Sequence, residues 1–284
     1  MDYIWFIQKY LGKNIWTHYV QISNWRDYEV VICDTTVFRF PKNKDKSLNM
    51  ILEKQKLDIV AQYVSIKVPQ YTIIDNMCIA YPLISWVPFD TLNVPYTDSF
   101  VEDIVPFLKQ LHSIPLENFW FLDAKKEETE EEKKEFLDFV NKLKDKIRLR
   151  LQDRVPDWTI ENIHTYMDKL FFEYDSPKKV FVHTDIQAKN IIYDATRDKI
   201  SWIIDFTDSR IWSAELDFCH FYDVDEHILR KMISLYMGFD DEEFFERVFF
   251  LARRWVIFEI DNDEICENNF EYILWQLKKY KFLY

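Results

Sequence analysis

The spacing of apolar residues changes along the chain and predicts two structurally different regions. Residues 3–11 have helical spacing and are followed by Gly12, a residue type that commonly ends a helix. Short apolar runs predict strands at 16–23, 28–33, 36–40, 71–75 and 77–81. A helix is predicted at 47–63, and from residue 98 onwards helical spacing prevails. The later predictions include a helix from Glu215 onwards, a helix that ends at Gly238, and a single helix at 244–260 that is apolar on most sides. The pattern therefore indicates a first region rich in strands and a second region rich in helices.

Residues 180–217 interrupt the helical pattern of the second region. They open with Val180–Val182, an apolar run that predicts a buried strand. Two more apolar runs, 191–193 and 200–204, enclose a segment of turn-forming residues. Two short strands joined by such a turn predict a β-hairpin.

Polar residues stand at fixed places around this predicted hairpin. Asn190 precedes its first strand and Asp205 follows its second, so that an amide oxygen and a carboxylate come side by side. Asp185 lies five residues before Asn190. Two hard oxygen ligands near another carboxylate are what phosphoryl transfer requires, because magnesium neutralises phosphate charge and a carboxylate orients the attacking hydroxyl.

Composition excludes other common ways of binding a nucleotide. The chain has only two glycines, Gly12 and Gly238, whereas a Walker loop or a dinucleotide fingerprint needs at least two within one turn. The formal net charge of −13 argues against a nucleic-acid partner, since such binding depends on Lys and Arg neutralising phosphates. That charge is compatible with a cationic partner, although it is equally ordinary for a soluble protein.

The remaining composition predicts a cytoplasmic protein without a membrane segment. No stretch approaches the roughly 20 apolar residues that a membrane span requires. The first residues lack the basic region and the cleavage site of a signal peptide. The four cysteines are scattered and never form a C-x-x-C pair, which speaks against structural zinc and against a disulfide framework.

The order His183-x-Asp185-x-x-x-x-Asn190, followed by a hairpin and by Asp205 after an apolar run, resembles the catalytic segment of a known family. It is similar to that of the aminoglycoside phosphotransferase and choline kinase branch of the protein-kinase-like fold. Asp217, at the start of the next predicted helix, also fits that family. The resemblance is specific because the weak His-x-Asp pattern is joined to the hairpin and the second carboxylate.

The resemblance implies an α+β, two-lobed, protein-kinase-like fold. Its N-terminal lobe, at residues 1–83, would be a small antiparallel sheet with one helix and would bind the nucleotide. The C-terminal lobe, at residues 84–284, would be larger and mainly helical. This second lobe would hold the catalytic hairpin and a helical region that binds the acceptor.

The resemblance also assigns roles to the polar residues around the hairpin. Asp185 would be the catalytic residue that accepts or orients the hydroxyl proton, and Asn190 and Asp205 would hold Mg²⁺. His183 would hold the catalytic loop against the backbone near Asp205, which is a structural role. Asp217 would likewise be structural.

Phosphate binding is implied for a strand cation and a helix acid. The segment FRFPK at 38–42 is similar to the phosphotransferase strand that carries this cation, and it looks closest to the aminoglycoside 2″-phosphotransferases. Arg39 would take that place, positioned by Glu53; alternatively, both are charges at a solvated surface. The family often has glycine in the loop that here is 24–27, and this chain has none, which leaves the phosphate contacts of the loop open. Lys189 either contacts the γ-phosphate or faces solvent.

Residues 81–84 stand where the first lobe would pass to the second. The resemblance places the nucleobase there, bound to backbone groups of the crossing strand at Tyr81, Leu83 and Ile84, with ATP or GTP as the phosphoryl donor. From the sequence alone, this uncharged and proline-broken strand end is equally consistent with core packing.

The acceptor would bind in the C-terminal helical region, which is acidic. Between Asp240 and Glu271 there are eleven Asp or Glu residues and three Arg residues, a local net charge of −8. An acidic pocket would suit a polyamine such as an aminoglycoside. The candidate acids near helix ends are Asp223, Asp225, Glu226, Glu259, Asp261 and Asp263. Each could equally be a surface acid that keeps the protein soluble.

Together these features predict a monomeric phosphotransferase that moves the γ-phosphoryl group of a magnesium-bound nucleoside triphosphate to a hydroxyl of a small polar or cationic acceptor. An aminoglycoside antibiotic is the preferred acceptor, with antibiotic resistance as a candidate role. Two alternatives stay open: a small-metabolite kinase for choline, homoserine or a sugar, and a non-catalytic kinase-like binding module. The glycine-free loop and Arg39 favour the module, whereas Asp185, Asn190 and Asp205 argue against it.

Overall fold

The computed structural model describes residues 3–12, 20–24, 28–75, 77–84, 87–92, 96–122, 129–175, 178–222 and 224–284. By their internal contacts the residues form two compact units. Unit 1 consists of Met1–Phe119 and Val180–Ile211, and unit 2 consists of Trp120–Lys179 and Trp212–Tyr284. The two lobes expected at 1–83 and 84–284 follow chain order and stay a prediction.

Unit 1 contains a five-stranded antiparallel sheet with the strand order β1-β2-β3-β5-β4. The elements of this part are α1 (Tyr3–Leu11), β1 (Val20–Asn24), β2 (Tyr28–Cys33), β3 (Thr36–Pro41), α2 (Lys44–Val60), β4 (Thr72–Ile74) and β5 (Cys78–Pro82). The turn between β2 and β3 contains Asp34, whose φ of +53° is tolerated by Asp better than by bulkier residues. The predicted hairpin of these two strands is therefore present.

Helix α1 packs against one face of this sheet. Its Phe6 belongs to a cluster with Val31, Phe38 and Phe40, whose side chains are all nearly inaccessible to solvent. The rings of Phe6 and Phe40 meet edge to face, with their centroids 5.7 Å apart. Gly12 follows the helix with φ of +63°, a left-handed conformation that favours glycine at a helix end.

Helix α2 begins at Lys44 because the Asn43 side chain accepts a hydrogen bond from the Lys46 amide at 3.0 Å. The buried positions of the helix are Met50, Glu53, Lys56, Leu57 and Val60. Charged residues are rarely buried unless they are paired. The two charges on this face therefore indicate a side of the helix with polar partners.

The rest of unit 1 contains α3 (Asp98–His112), most of β6 (Lys179–Val182), β7 (Ile191–Asp194) and β8 (Lys199–Ile203). Strands β7 and β8 form the predicted antiparallel hairpin. Asp103 of α3 fixes the hairpin, because its carboxylate accepts hydrogen bonds from the Lys199 ammonium and the Ile200 amide, both at 2.9 Å. The residues that flank the hairpin therefore have a rigid support.

Unit 2 is mainly helical. Strand β9 (Arg210–Ser213) leads into it along the chain, and its helices are α4 (Glu130–Leu151), α5 (Asp157–Asp168), α6 (Cys219–Tyr222), α7 (Glu226–Met237), α8 (Glu242–Ala252), α9 (Arg254–Asp261), α10 (Asp263–Asn268) and α11 (Phe270–Lys279). Helix α7 ends at Gly238, as the sequence predicts, and that glycine has φ of +86°. Across the described parts of both units, no helix is long and apolar enough to cross a membrane.

Two predicted helices differ from the structure. The helix expected from Glu215 onwards is a 3₁₀ turn at Ala214–Asp217 followed by the short α6, so Asp217 ends a 3₁₀ turn and does not begin an α-helix. The single helix expected at 244–260 is the pair α8 and α9, which meet at Arg253. Because that segment is apolar on most sides, its spacing contains no sign of the break. The Arg253 guanidinium lies 3.9 Å from the ring centre of Phe282, a contact between residues distant in sequence.

Candidate active site

Unit 1 contains a cavity of about 460 Å³ bordered by the sheet, helix α2 and the hairpin. Its lining residues are Tyr28, Arg39, Lys46, Asn49, Pro69, Tyr71, Tyr81, Ile84, Lys189, Asn190, Ile204, Asp205, Thr207 and Asp208. Arg39, Tyr81, Ile84, Asn190 and Asp205, which the sequence singled out at separate places, therefore lie around one cavity.

Arg39 and Glu53 form a buried ion pair at the edge of this cavity. Arg39 Nη2 lies 3.2 Å from Glu53 Oε2, and Arg39 Nη1 donates to the Tyr71 hydroxyl at 3.0 Å. The same hydroxyl donates to Glu53 Oε1 at 3.0 Å, which closes a triangle of three side chains. The side chains of Arg39 and Glu53 are 8% and 0% exposed, so the alternative that both are solvated surface charges is wrong.

Aromatic rings surround the Arg39 guanidinium. Its central carbon lies 4.3 Å from the ring centre of Tyr28 and 5.6 Å from that of Tyr71. A cation over a ring face is attracted by the ring quadrupole, and this attraction is stronger when water is excluded. Arg39 Nε is buried and has no hydrogen-bond partner among the described residues.

Burial and charge fix the protonation states of this group. Burial alone lowers the pKa of Arg39, but the Glu53 carboxylate and the nearby tyrosines more than offset this, and the pKa is raised overall. Burial raises the pKa of Tyr71 well above its ordinary value, and Glu53 raises it further. Burial likewise raises the pKa of Tyr81 to about 12, although Arg39 opposes the shift. The cavity wall therefore presents a permanent cation and neutral phenols near pH 7.

His183 connects the loop before the hairpin to the backbone next to Asp205. Its Nε2 lies 3.0 Å from the carbonyl oxygen of Ile204, and its Nδ1 accepts a hydrogen bond from the Asp185 amide at 3.3 Å. These two contacts require the neutral tautomer with the proton on Nε2. The ring is fully buried and lies 4.4 Å from the ring of Phe206. A histidine in this place holds two backbone segments at a fixed separation.

The Asp185 carboxylate accepts contacts from several neighbours in the loop. Asn190 Nδ2 donates to Asp185 Oδ2 at 2.9 Å and also to the Asp185 carbonyl oxygen at 2.9 Å. Lys189 Nζ lies 3.2 Å from Oδ2, and Gln187 Nε2 donates to Oδ1. Because both amide protons of Asn190 are used, its Oδ1 is left as the group that can meet a cation.

Asp205 is the second residue after the end of β8 and has φ of +68°, a conformation that is rare for a residue other than glycine. Its carboxylate makes no hydrogen bond or ion pair within the described part of the chain, and it lies on the cavity wall with Asn190. Oxygen donors without protein partners suit Mg²⁺, which is usually held by one or two carboxylates, waters and substrate phosphates. The described residues contain no cluster of three or more His, Cys, Asp or Glu that could hold a metal alone.

A polar line along α2 was not predicted from the sequence. Lys46, Asn49, Glu53 and Lys56 recur at intervals of three or four residues and therefore share one helix face. Lys46 and Asn49 line the cavity, and Glu53 pairs with Arg39. This polar series at helical spacing is the sequence signal that could have predicted a polar helix face at the site. The cavity is also lined by Tyr28, Tyr71 and Asp208, and no local sequence pattern predicts that these residues lie there.

Only part of the predicted nucleobase-binding segment lines the cavity. Tyr81 and Ile84 line it and are buried, whereas Leu83 is 37% exposed and is not a lining residue. The Leu83 amide donates to the Thr35 carbonyl oxygen at 2.6 Å, so its N–H already has a partner. Among the three residues, the structure therefore brings Tyr81 and Ile84 to the site.

The acids expected to bind an acceptor belong to unit 2, apart from Asp223, which lies outside the described residues. Asp225 caps α7, accepting from the amides of His227 at 2.7 Å and Ile228 at 3.3 Å. Glu226 accepts from Arg230 Nε at 2.8 Å. These two acids therefore have local roles at the start of one helix.

The other three expected acids lie around α9 and α10. Asp261 is 2.6 Å from Lys146 Nζ, and Asp263 contacts Arg150 and lies 3.6 Å from Lys146. Glu259 is half-buried on α9. Asp217 of the same unit is fully buried. Acceptor binding by the three acids and a structural role of Asp217 stay predictions.

The chain is similar in sequence pattern to a known family. A family model described as the phosphotransferase enzyme family (APH) matches residues 20–241. A comparison with curated protein sequences finds no significant match.

Solved structures share the fold. Wild-type aminoglycoside 2'-phosphotransferase-IIIa in its GDP complex has a TM-score of 0.70 and 16% identity, covering 98% of this chain and 96% of that chain. The ADP-bound aminoglycoside phosphotransferase APH(2'')-Ib has a TM-score of 0.65 and 18% identity, covering 100% and 98%. Macrolide 2'-phosphotransferase type I has a TM-score of 0.66 and 17% identity, covering 100% and 96%. At these identities the likenesses show the fold alone, and the predicted α+β, kinase-like fold is confirmed.

Proposed function

The chain belongs to the phosphotransferase enzyme family, and we propose that it transfers the γ-phosphoryl group of magnesium-bound ATP or GTP to a hydroxyl group of a small cationic acceptor. An aminoglycoside is the acceptor we propose first. The observation that supports the proposal most directly is one cavity lined by Asn190, Asp205 and Arg39. Asn190 contacts the Asp185 carboxylate, and Arg39 pairs with Glu53.

Asp185 is the proposed catalytic residue. The acceptor oxygen would form a bond to the γ-phosphorus while the bond to the bridging oxygen breaks and the nucleoside diphosphate leaves. The hydroxyl proton would pass to the Asp185 carboxylate. The contacts from Asn190, Lys189 and Gln187 hold that carboxylate in one orientation, which is what a general base needs.

Asn190 and Asp205 are the proposed magnesium ligands. Mg²⁺, when bound, would neutralise the negative charge of the phosphate groups. Asn190 Oδ1 suits this role because both amide protons of the residue donate to Asp185. Asp205 suits it because its carboxylate has no competing partner within the described residues.

Phosphate recognition would be shared among several cations. One N–H of each terminal nitrogen of Arg39 is already bound, to Tyr71 and to Glu53, so Arg39 would contribute mainly its positive charge. Lys46 and Lys189 line the same cavity and would add two ammonium groups. This distribution would also reduce dependence on a glycine-rich loop, because charged side chains can contact phosphates that a loop backbone does not reach.

The aminoglycoside part of the proposal is supported by the acidic C-terminal region and by the aminoglycoside phosphotransferases among the similar structures. Asp223, Asp225, Glu226, Glu259, Asp261 and Asp263 stay the proposed acceptor contacts. A macrolide phosphotransferase has the same fold at similar identity, so a larger acceptor belongs in the test. We also propose that the protein acts as a monomer in the cytoplasm.

The deciding experiment is an acceptor screen with purified protein, Mg²⁺, and ATP or GTP. Aminoglycosides, a macrolide, choline, homoserine and sugars would be compared by nucleoside diphosphate release and by the mass of the product. Release that depends on an aminoglycoside would support the proposal. Release with choline, homoserine or a sugar alone would identify a metabolite kinase.

Thermal unfolding with Mg-ATP and with Mg-GTP distinguishes a nucleotide-dependent enzyme from a kinase-like module that binds no nucleotide. A ligand that binds only the folded protein must raise its melting temperature. A shift with either nucleotide supports the proposed site. If neither nucleotide shifts the melting temperature and no turnover is detected, the proposed function is overturned.

A further inference from the structure

Lys56 is a buried cation that the proposed chemistry has not used. It lies one turn after Glu53 on α2, and the two residues are 5% and 0% exposed. A buried ammonium group is unfavourable unless it has close polar partners. Its partners therefore show why this helix face carries a second charge.

The Lys56 ammonium contacts the backbone that directly follows Asp205. Its Nζ donates to the Thr207 carbonyl oxygen at 2.9 Å and to the Phe206 carbonyl oxygen at 3.5 Å. Hydrogen bonds from a charged donor are stronger than those between neutral groups. The Phe206 carbonyl also accepts from the Ser209 hydroxyl at 2.6 Å, so the Thr207 contact is the one that depends most on Lys56.

The charges around Lys56 come from several elements. Burial lowers the pKa of Lys56, Glu53 and Asp208 oppose that shift, and Arg210 adds to it. The overall direction is downward. Glu53 lies on its own helix, whereas Asp208 and Arg210 follow Asp205 along the chain. Both carboxylates stabilise the ammonium form that donates the hydrogen bonds.

Asp205 itself is in a strained conformation, with φ of +68°. Such a conformation is unfavourable and persists only where neighbouring contacts hold it. On its N-terminal side, the Ile204 carbonyl contacts His183 Nε2 at 3.0 Å and the Ile204 amide donates to the Asn190 carbonyl at 3.0 Å. On its C-terminal side, Lys56 holds the next two carbonyl groups. Asp205 is thus held from both directions.

We propose that Lys56 is a positioning residue that keeps Asp205 at the cavity wall through the backbone of Phe206 and Thr207. This inference rests on the proposed function for its catalytic consequence, but the contact itself does not. Because Glu53 is on the same face of α2, the helix holds the phosphate-binding arginine and the metal-binding segment together. A displacement of α2 would disturb both at once.

The test compares Lys56→Met with Lys54→Met in otherwise complete protein. Methionine keeps the length and apolar stem of Lys56 and removes the donor. Lys54 is on the same helix but pairs with Asp58 at 2.5 Å, and among the described residues it has no hydrogen bond or ion pair with the Asp205 segment, so it is the matched control. Amide hydrogen exchange of residues 206–209 is measured first, without metal or nucleotide.

In Lys56→Met we expect exchange at 206–209 to rise about tenfold or more, and in Lys54→Met to stay near the wild-type rate. The Mg²⁺ concentration for half-maximal turnover should rise about 10- to 100-fold, as for other residues that orient metal ligands, with a much smaller change in the KM for nucleotide. Lys56→Arg, which retains the donors, should recover most of both properties. A merely stabilising role would lower the melting temperature without changing the Mg²⁺ dependence.

Wild-type exchange and wild-type Mg²⁺ dependence in Lys56→Met would overturn the inference, as would equal effects in Lys54→Met. If Lys56→Met does not fold, Lys56→Gln replaces it in the same two measurements. If the wild-type protein neither binds nor turns over nucleotide, the proposed function fails. The exchange measurement then still decides whether Lys56 holds the Asp205 segment.

Discussion

The guanidinium of Arg39 and the carboxylate of Glu53 form a buried ion pair, with Nη2 and Oε2 3.2 Å apart and the Tyr71 hydroxyl bonded to both residues. This pair joins strand β3 to helix α2. Breaking a buried pair leaves one charge without compensation, and the first prediction follows from that asymmetry.

Glu53→Gln should lower the free energy of unfolding by about 3–5 kcal/mol, because the Arg39 charge would stay buried without its carboxylate. Urea unfolding at pH 7 measures this. Asp58→Asn is the control, since it removes an exposed carboxylate from the same helix and should change stability by less than about 1 kcal/mol. Equal effects of the two substitutions would contradict the assigned role of the pair.

Arg39→Lys should weaken nucleotide binding although it keeps the positive charge. A lysine cannot contact Tyr71 and Glu53 with two nitrogens and stack on Tyr28 at the same time. We expect the KM for nucleotide to rise about tenfold, equivalent to about 1.4 kcal/mol of binding energy. Steady-state kinetics and thermal shifts with Mg-ADP check this. Wild-type affinity in the variant would show that a point charge is sufficient.

Asp185→Asn should reduce kcat by about 10²- to 10⁴-fold, the usual loss when a general base is removed. Binding of Mg-ADP, followed by thermal shift, should stay close to that of the wild type. Asp194→Asn is the control because that carboxylate lies at the hairpin turn, where it accepts a hydrogen bond from the Thr196 amide. A normal rate in Asp185→Asn would exclude Asp185 as the base.

Asp205→Asn should raise the Mg²⁺ concentration required for half-maximal turnover by about tenfold or more, because an ionised ligand becomes a neutral one. The titration is made at saturating nucleotide. Asp198→Asn removes an exposed carboxylate from the hairpin turn and should leave the titration unchanged. A structure with bound nucleotide in which the metal contacts neither Asn190 nor Asp205 would also refute the assignment.

Stability should fall in alkaline solution partly because of Tyr81. Its pKa is about 12 in the folded protein and 10.0 ordinarily, so the unfolded chain releases the proton first as the pH rises. The contribution is fully present below pH 10 and decreases by about 1.4 kcal/mol per pH unit between the two pKa values. Urea unfolding at pH 9 and 11 should show a smaller loss in Tyr81→Phe than in the wild type. Tyr10→Phe, at an exposed ring, should behave as the wild type.

Much of the fold could be predicted from local patterns in the sequence. The strands at 28–33 and 36–40, the hairpin, and the helix ends at Gly12 and Gly238 all appear at or near the predicted residues. Each depends on a period of two or 3.6 residues or on a backbone conformation that one residue type favours. Where several helix faces are apolar, as at 244–260, the spacing lost its information and the break at Arg253 was missed.

The chemical groups of the site follow from the order of residues alone. That order placed Asn190 and Asp205 on either side of one hairpin, put Asp185 nearby, and excluded glycine-rich phosphate loops because the chain has two distant glycines. Such statements need only short-range order. They name the atoms that can act but do not say which of them are buried or which meet across the fold.

Long-range packing, by contrast, buries Arg39 and Glu53 and brings Lys56 to a carbonyl group 151 residues away along the chain. Burial depends on what packs over a residue, and helical spacing treats an exposed charge and a paired buried charge alike. The polar line on α2 has a structural role because Glu53 contacts Tyr71 and Lys56 contacts the Asp205 segment. That is a property of long-range contacts, which no local period records.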